Sequence, residues 1–432
     1  MRTLWVCNFS NAEIRDELVF KNSLLDRIMR VFFKKPRIFS DYGIWISNGI
    51  KAFESCSTNI ELFIISPHYG LKSKIQSFKK AGITYFFFKP NDDTLLQKTF
   101  LKRNNQYRQN RNIIKDIVAD VRPDIIHFYG AENPRYSIAA IDIDTEQFPV
   151  LVSLQTLMSP PSFYAKYPIS KKEYDHRVKI EQAVLRKATF IGSPTKEYTE
   201  YVWRNINSEA IITDSFLFLQ QEFPIINVSK NYDFVYFAAG IEKAIDIVLT
   251  VVSIVVKKHR NVLVNVIGGC SPESLEKINK KVEDLEIKKN IVFSGMLPEH
   301  KDVLLKIQES KFAILPLKVD NISGTIREAM FAGLPVVTTI TDGTPLLNEK
   351  RQSVLLSKHD DYESMADNMI RLIENPNEGE VLKKNAFITV HEMWDNNHIL
   401  KKLLKVYECI HQNRIFKKEL PSEYFILNKT KI

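Results

Sequence analysis

Cysteine is scarce and long apolar runs are missing. The 432 residues hold four cysteines, Cys7, Cys56, Cys270 and Cys409, scattered and without a C-x-x-C pair. Cys7 and Cys270 lie in or beside apparent strands, so buried free thiols are the expected state. No stretch reaches the roughly 20 apolar residues needed to span a bilayer. The start, MRTLWVCNFS, lacks an apolar h-region and a cleavage-site pattern, and reads as a buried strand rather than a signal peptide. These features suggest a cytoplasmic protein. No G-x-G-x-x-G follows the first strand, which removes support for a standard nicotinamide or flavin site. Nucleic-acid-binding motifs, metal-ligand clusters, low-complexity segments and internal repeats beyond two similar halves are also missing.

What is present is the material of large cores. Hydrophobic residues make up 44% and aromatics 11%, enough for two domains of about 200 residues each. The formal charge is +9, but basic residues are mixed with acidic ones, and pairs such as Lys79-Lys80 and Lys171-Lys172 read as solvated faces. Nucleic acid is therefore not an expected partner. Attraction to anionic headgroups, about 1 kcal/mol per basic residue near a membrane surface, keeps peripheral association with the inner face of a membrane among the expectations.

Along the chain, short hydrophobic strands alternate with helices, which indicates doubly wound parallel sheets. Strands are expected at Arg2–Phe9, Ile60–Ser66, Ile83–Lys89 (reached through a basic helix), 124–130 and 149–155. Helices are expected at Leu24–Phe33, around Ile46, Ile50 and Phe53 after Gly43, at Asn110–Val121 and at 176–188. Residues 156–180 begin as an irregular loop. A new αβ series starts near Tyr232, placing a boundary at 222–231. The expected organisation is an amino-terminal domain at 1–222, a second Rossmann-like domain at 232–389, a single helix at 390–412 and a tail at 413–432.

Residues 311–340, KFAILPLKVDNISGTIREAMFAGLPVVTTI, concentrate the polar chemistry. Phe312–Leu317 has strand length, and Asp320, Asn321, Ser323 and Gly324 supply turn and N-cap chemistry. Thr325–Phe331 favours helix, Gly333 suits a left-handed C′ position, and Val336–Ile340 suits a following strand. The N–H groups of Ser323 to Thr325 would stand at a helix N-terminus, where phosphate oxygens bind. Asp320 and Glu328, eight residues apart, flank that anion site. In open α/β sheets such loops lie outside the carboxyl ends of the strands, where ligands bind.

This stretch resembles the signature of family 4 retaining glycosyltransferases, the group 1 transferases of GT-B architecture: a carboxylate, seven residues, Glu, then Ala-Met and Gly-x-Pro-Val-Val. Asp320 stands where that family has its first Glu, and Glu328 is the second. The resemblance is best over 230–395. It implies two Rossmann-like domains facing one another across a cleft, with a C-terminal helix crossing back; Trp394 and Tyr407 fit that helix. It further implies that Asp320 contacts the donor sugar near its anomeric carbon and that Glu328 accepts hydrogen bonds from ribose hydroxyls. Asn321, Ile322, Ser323, Gly324 and Thr325 would cradle the diphosphate, and Lys243 would neutralise the leaving group beside Gly240. A partner Arg is missing, with Ala239 or Gly240 at its place. His127 would be the catalytic histidine of the first domain, and Gly43 and Gln155 would meet the acceptor. Leu346 and Ser353 replace a Glu and a Gly of the family pattern.

The implied activity is transfer of a sugar from a nucleotide-diphosphate sugar to a hydroxyl of a cell-surface glycan or its lipid-linked precursor, with retention and no metal or other cofactor. Two rivals remain: a non-catalytic partner subunit of the same fold, and a nucleotide-sugar 2-epimerase using Asp320 and His127.

Overall fold

The computed structural model describes residues 1–21, 41–91, 107–164, 169–219, 228–317, 322–341 and 343–428. The helix expected at Leu24–Phe33, part of the 156–170 loop, and both Asp320 and Asn321 lie outside the described residues. The chain forms two units, one of Met1–Phe218 with Asn396–Ile432, the other of Leu219–Asp395.

The first unit is built on eight strands: β1 (Arg2–Val6), β2 (Glu61–Pro67), β3 (Ile75–Lys80), β4 (Ile83–Phe88), β5 (Ile125–Tyr129), β6 (Val150–Ser153), β7 (Phe190–Ser193) and β8 (Ile211–Asp214). Their order is β3-β4-β2-β1-β5-β6-β7-β8. Every neighbour is parallel except the β3–β4 pair. All five residues of β5 are buried, as a parallel strand covered on both faces requires. The Ile44–Glu54 helix buries Ile46, Ile50 and Phe53, the face that the helical spacing predicts.

The basic helix expected before Ile83 is instead strand β3. Ala81 (φ 47°) and Gly82 (φ 80°) both adopt left-handed backbone, which closes a two-residue hairpin whose twist suits antiparallel strands. Phe78 then stacks on Tyr85 at 5.0 Å and on Phe87 at 6.1 Å. Cross-strand aromatic pairing, invisible to a helical reading of KIQSFKK, decides the conformation.

The second unit has six parallel strands: β9 (Tyr232–Gly240), β10 (Val264–Gly269), β11 (Ile291–Gly295), β12 (Ser310–Leu315), β13 (Val336–Thr339) and β14 (Val354–Ser357). They run β11-β10-β9-β12-β13-β14. The Ile245–Val255 helix buries Val248, Val251, Val252 and Val255 in the core of this unit.

The single helix expected over 390–412 is two. Pro376–Trp394 ends at Asp395 (φ −63°, ψ 112°), and Asn396–Phe416 starts anew within the first unit. Asp395, Asn396 and Asn397 are the cause: their short polar side chains compete for backbone hydrogen bonds and favour a break. Among the described residues no helix is long and apolar enough to cross a membrane.

Candidate functional site

In the second unit the strand order reverses between β9 and β12, so the crevice for a ligand lies at their carboxyl ends. Gly240 ends β9 and Lys243 closes the short turn after it with an exposed side chain. Gly240 has φ −125°, which any residue adopts. A β-carbon there would stand 3.1 Å from Glu242 Oε2, the far end of an exposed and flexible side chain. The Glu242 carboxylate also accepts from the Ser271 N–H at 3.0 Å.

Beyond β12 the chain re-enters the described residues at Ile322, and Ser323 caps the Gly324–Phe331 helix. Ser323 Oγ accepts from the Thr325 N–H at 3.2 Å and lies 2.6 Å from Thr325 Oγ1. The cap therefore takes the Thr325 N–H for itself, while Gly324 sits exposed at the helix start. Arg327 donates to the Ile322 carbonyl at 2.6 Å and lies over the Trp394 ring at 5.4 Å, fixing the turn before the helix. The helix ends as its glycine predicts: Gly333 has φ 71° and the Leu334 N–H reaches the Ala329 carbonyl at 2.9 Å.

Glu328 turns back toward the helix start, for its Oε1 lies 4.0 Å from where a β-carbon on Gly324 would stand. The same oxygen is 3.1 Å from His300 Nε2, and the two side chains are 14% and 18% exposed. Sequence reasoning did not single out His300, since no local signal ties position 300 to 328. Its helix, His300–Ile307, starts with a capping box between Glu299 and Asp302, which holds the imidazole's backbone firmly.

In the first unit the order reverses between β1 and β5. Gly43 has φ 63°, and a β-carbon on it would come within 2.4 Å of the Asn8 carbonyl oxygen just past β1. The need for glycine is thus explained by packing against the chain itself. Gln155 lies half-buried beyond β6. Its Nε2, Glu132 Oε2 and the Tyr136 hydroxyl stand 3.5, 3.4 and 3.1 Å from the point a β-carbon on Gly130 would occupy. Glu132 Oε2 is buried with no hydrogen-bond partner, and burial raises the pKa of that carboxyl.

His127, expected as a catalytic group, is a core residue. It has no exposed surface. Nδ1 is 2.5 Å from the Tyr407 hydroxyl and Nε2 is 2.7 Å from Ser153 Oγ. Burial holds its pKa well below the usual histidine value, so the ring is neutral with both nitrogens engaged. The motif Asp-Ile-Ile-His positions it in mid-strand β5, between its parallel neighbours β1 and β6. The 156–160 segment is fastened by Glu181, fully buried, which accepts from the N–H groups of Met158 and Ser159 at 2.8 Å each and from Ser159 Oγ at 2.5 Å. Ser353, at a family glycine position, is buried with Oγ 2.8 Å from Thr389 Oγ1. Leu346 is exposed. Among the described residues no group of three or more His, Cys, Asp or Glu is placed to hold a metal ion.

Residues 220–388 match the family model described as glycosyl transferases group 1. The second unit is a group 1 glycosyltransferase domain. An uncharacterized glycosyltransferase of Haemophilus influenzae is 27% identical over 135 residues, which is 31% of this chain and 37% of that protein. The chain thus matches little more than a third of that relative's length. Among solved structures, sucrose-phosphate synthase of Thermosynechococcus elongatus aligns with a TM-score of 0.68 at 13% identity, over 94% of this chain and 98% of its own. OtsA gives 0.64 at 12%, over 98% and 100%. Anabaena HepE, solved with UDP and glucose, gives 0.61 at 11%, over 94% and 99%. At such identities these structures speak for the fold. The fold is GT-B, with two parallel-sheet α/β units and C-terminal helices. Gly240 and Lys243 follow β9, and Ile322, Ser323, Gly324, Thr325 and Glu328 follow β12, the two neighbouring strands between which the order reverses.

Proposed function

We propose that this chain transfers a glycosyl residue from a nucleoside diphosphate sugar to a hydroxyl acceptor, with retention at the anomeric carbon. One observation carries the reading: an exposed helix start at Gly324, with a half-buried carboxylate turned back toward it, at the switch point of a group 1 domain. Oriented N–H groups and the helix dipole favour a diphosphate there. Glu328 is suited to a vicinal diol, because an ionised carboxylate only accepts hydrogen bonds. Lys243, exposed at the end of β9, offers a cation to the leaving diphosphate. Asp320 would approach the donor sugar, and Asn321 would complete the loop. Acceleration would come from stabilising the leaving diphosphate and an oxocarbenium-like sugar with groups already in place.

The acceptor side of the proposal rests on the first unit, at Gln155 and the segment after it and at the backbone of Gly43. A cell-surface glycan or its lipid-linked precursor is the acceptor class, and contact with an anionic membrane surface belongs to the same proposal. A UDP-sugar is the first donor to try, because HepE was solved with UDP and glucose. Calorimetric titration against UDP-, ADP- and GDP-sugars tests the donor site. One donor should bind, and Glu328→Ala should weaken it about tenfold or more, in the range of a lost charged hydrogen bond.

A non-catalytic subunit is the second reading. It is favoured by the missing arginine, with Ala239 or Gly240 at its place, and by the enclosure of His127. A folded protein that binds no donor would select it. The epimerase reading loses one of its two acid/base candidates with His127.

A further inference from the structure

We propose that His300 is the positioning residue of the donor site, holding one oxygen of Glu328 so that the other faces the nucleotide ribose. The inference rests on the reading of Glu328 as the ribose ligand.

A carboxylate has no hydrogen to give, so the nitrogen 3.1 Å from Glu328 Oε1 must be the one that donates. His300 Nε2 therefore carries the ring hydrogen. The bond ties the first turn of the His300–Ile307 helix to the second turn of the Gly324–Phe331 helix, 28 residues away in sequence. Both backbones are fixed independently, one by the Glu299–Asp302 capping box, the other by the Ser323 cap and the Arg327 bond to Ile322. Glu328 has three rotatable side-chain bonds and could point to solvent. With Oε1 held, its freedom to turn away is removed before a ligand arrives. Among the described residues Oε2 has no protein partner. It remains for a diol, whose two hydroxyls need an acceptor in a fixed place. A ligand that finds its partner already ordered loses less entropy on binding.

The pair could instead be a bridge that merely joins two helices. A positioning role makes a sharper demand, because only the part of affinity that depends on ribose hydroxyls should respond. UDP and 2′-deoxy-UDP, with the ADP and GDP pairs in parallel, are titrated by calorimetry into the full chain, into Glu328→Ala, His300→Ala and His300→Gln, and into the double alanine variant. Thermal melts are run alongside. The wild type should prefer the ribonucleotide about tenfold. His300→Ala should erase most of that preference, weakening UDP more than 2′-deoxy-UDP, which keeps one of the two ribose hydroxyls, and leaving the melt unchanged. His300→Gln, which keeps a donor at similar reach, should restore it to within about threefold. In the Glu328→Ala background, removing His300 should have no further effect.

Equal weakening of both nucleotides in His300→Ala, or an unaltered preference, would overturn the positioning role while Glu328 stands. An unchanged ribose preference in Glu328→Ala would overturn the ribose reading itself, and this inference with it. So would a wild type that binds none of the nucleotides.

Discussion

Removing one hydroxyl from Tyr407 tests the assignment of His127 to the core. Tyr407 lies on the Asn396–Phe416 helix and is fully enclosed. Its hydroxyl is 2.9 Å from Trp5 Nε1 and 2.5 Å from His127 Nδ1. Trp5 can only donate, so the Tyr407 oxygen accepts from it. If the hydroxyl hydrogen goes to Nδ1, His127 keeps its ring hydrogen on Nε2 and donates to Ser153. Tyr407→Phe leaves the Trp5 N–H and His127 Nδ1 without their partner in a buried site. Each orphaned group costs about 1–3 kcal/mol, and loss of the buried hydroxyl returns a little, so about 2–4 kcal/mol should be lost. Three of the four tryptophans, Trp5, Trp45 and Trp203, lie in the first unit and Trp394 in the second. Urea unfolding followed by fluorescence therefore reports mainly on the first unit. With a slope of about 2–3 kcal/mol per molar, its midpoint should fall by roughly 1 M. Donor binding, proposed for the second unit, should be unchanged. An unmoved midpoint together with lost transfer would refute the reasoning and return His127 to the chemistry.

Two other perturbations probe the fold. Burial pushes the Glu181 carboxyl up from 4.5 to about 7. Between those values the folded state keeps a proton that the unfolded chain has lost, so stability of the first unit should fall as pH rises from about 4.5 to about 7, by up to ~3 kcal/mol. Glu181→Gln should flatten that slope in urea titrations across pH, whatever its absolute stability; a retained slope would assign the dependence to another group. Gly268 has φ 138°, and a β-carbon on it would come within 1.9 Å of the Ala238 carbonyl oxygen. Gly268→Ala should cost the second unit more than about 3 kcal/mol, read from Trp394. Gly82→Ala, with φ 80° and nothing within 4 Å, should cost only about 1–2 kcal/mol. Equal costs would mean that backbone strain, and not the strand contact, explains Gly268.

Much of the architecture is local and so was readable in the chain. Short buried strands between amphipathic helices specify a parallel α/β sheet, because only burial on both faces accommodates runs such as IIHFY. The Ser323 cap and the Gly333 stop act within a few residues, so the helix that carries Glu328 has legible ends. The β3–β4 hairpin was not legible, since KIQSFKK owes its conformation to partners on β4. Nor was the break at Asp395, where helix-forming residues on both sides hide a local competition for backbone bonds.

The site divides in the same way. Sequence determined which residue types stand at the switch point of the second unit, because chain order and strand ends fix Gly240, Lys243 and the Ser323 turn. Tertiary structure alone decided what each side chain has left to offer. His127 looks available in a motif and is enclosed by Tyr407 and Ser153, residues 280 and 26 positions away. Glu328 looks like an isolated helix carboxylate and has a partner in His300. Glu181, one acid in a charged helix, holds the 158–159 backbone. Hydrogen bonds between distant segments leave no periodicity or spacing in the chain, and only the packed fold brings their donors and acceptors within bonding distance.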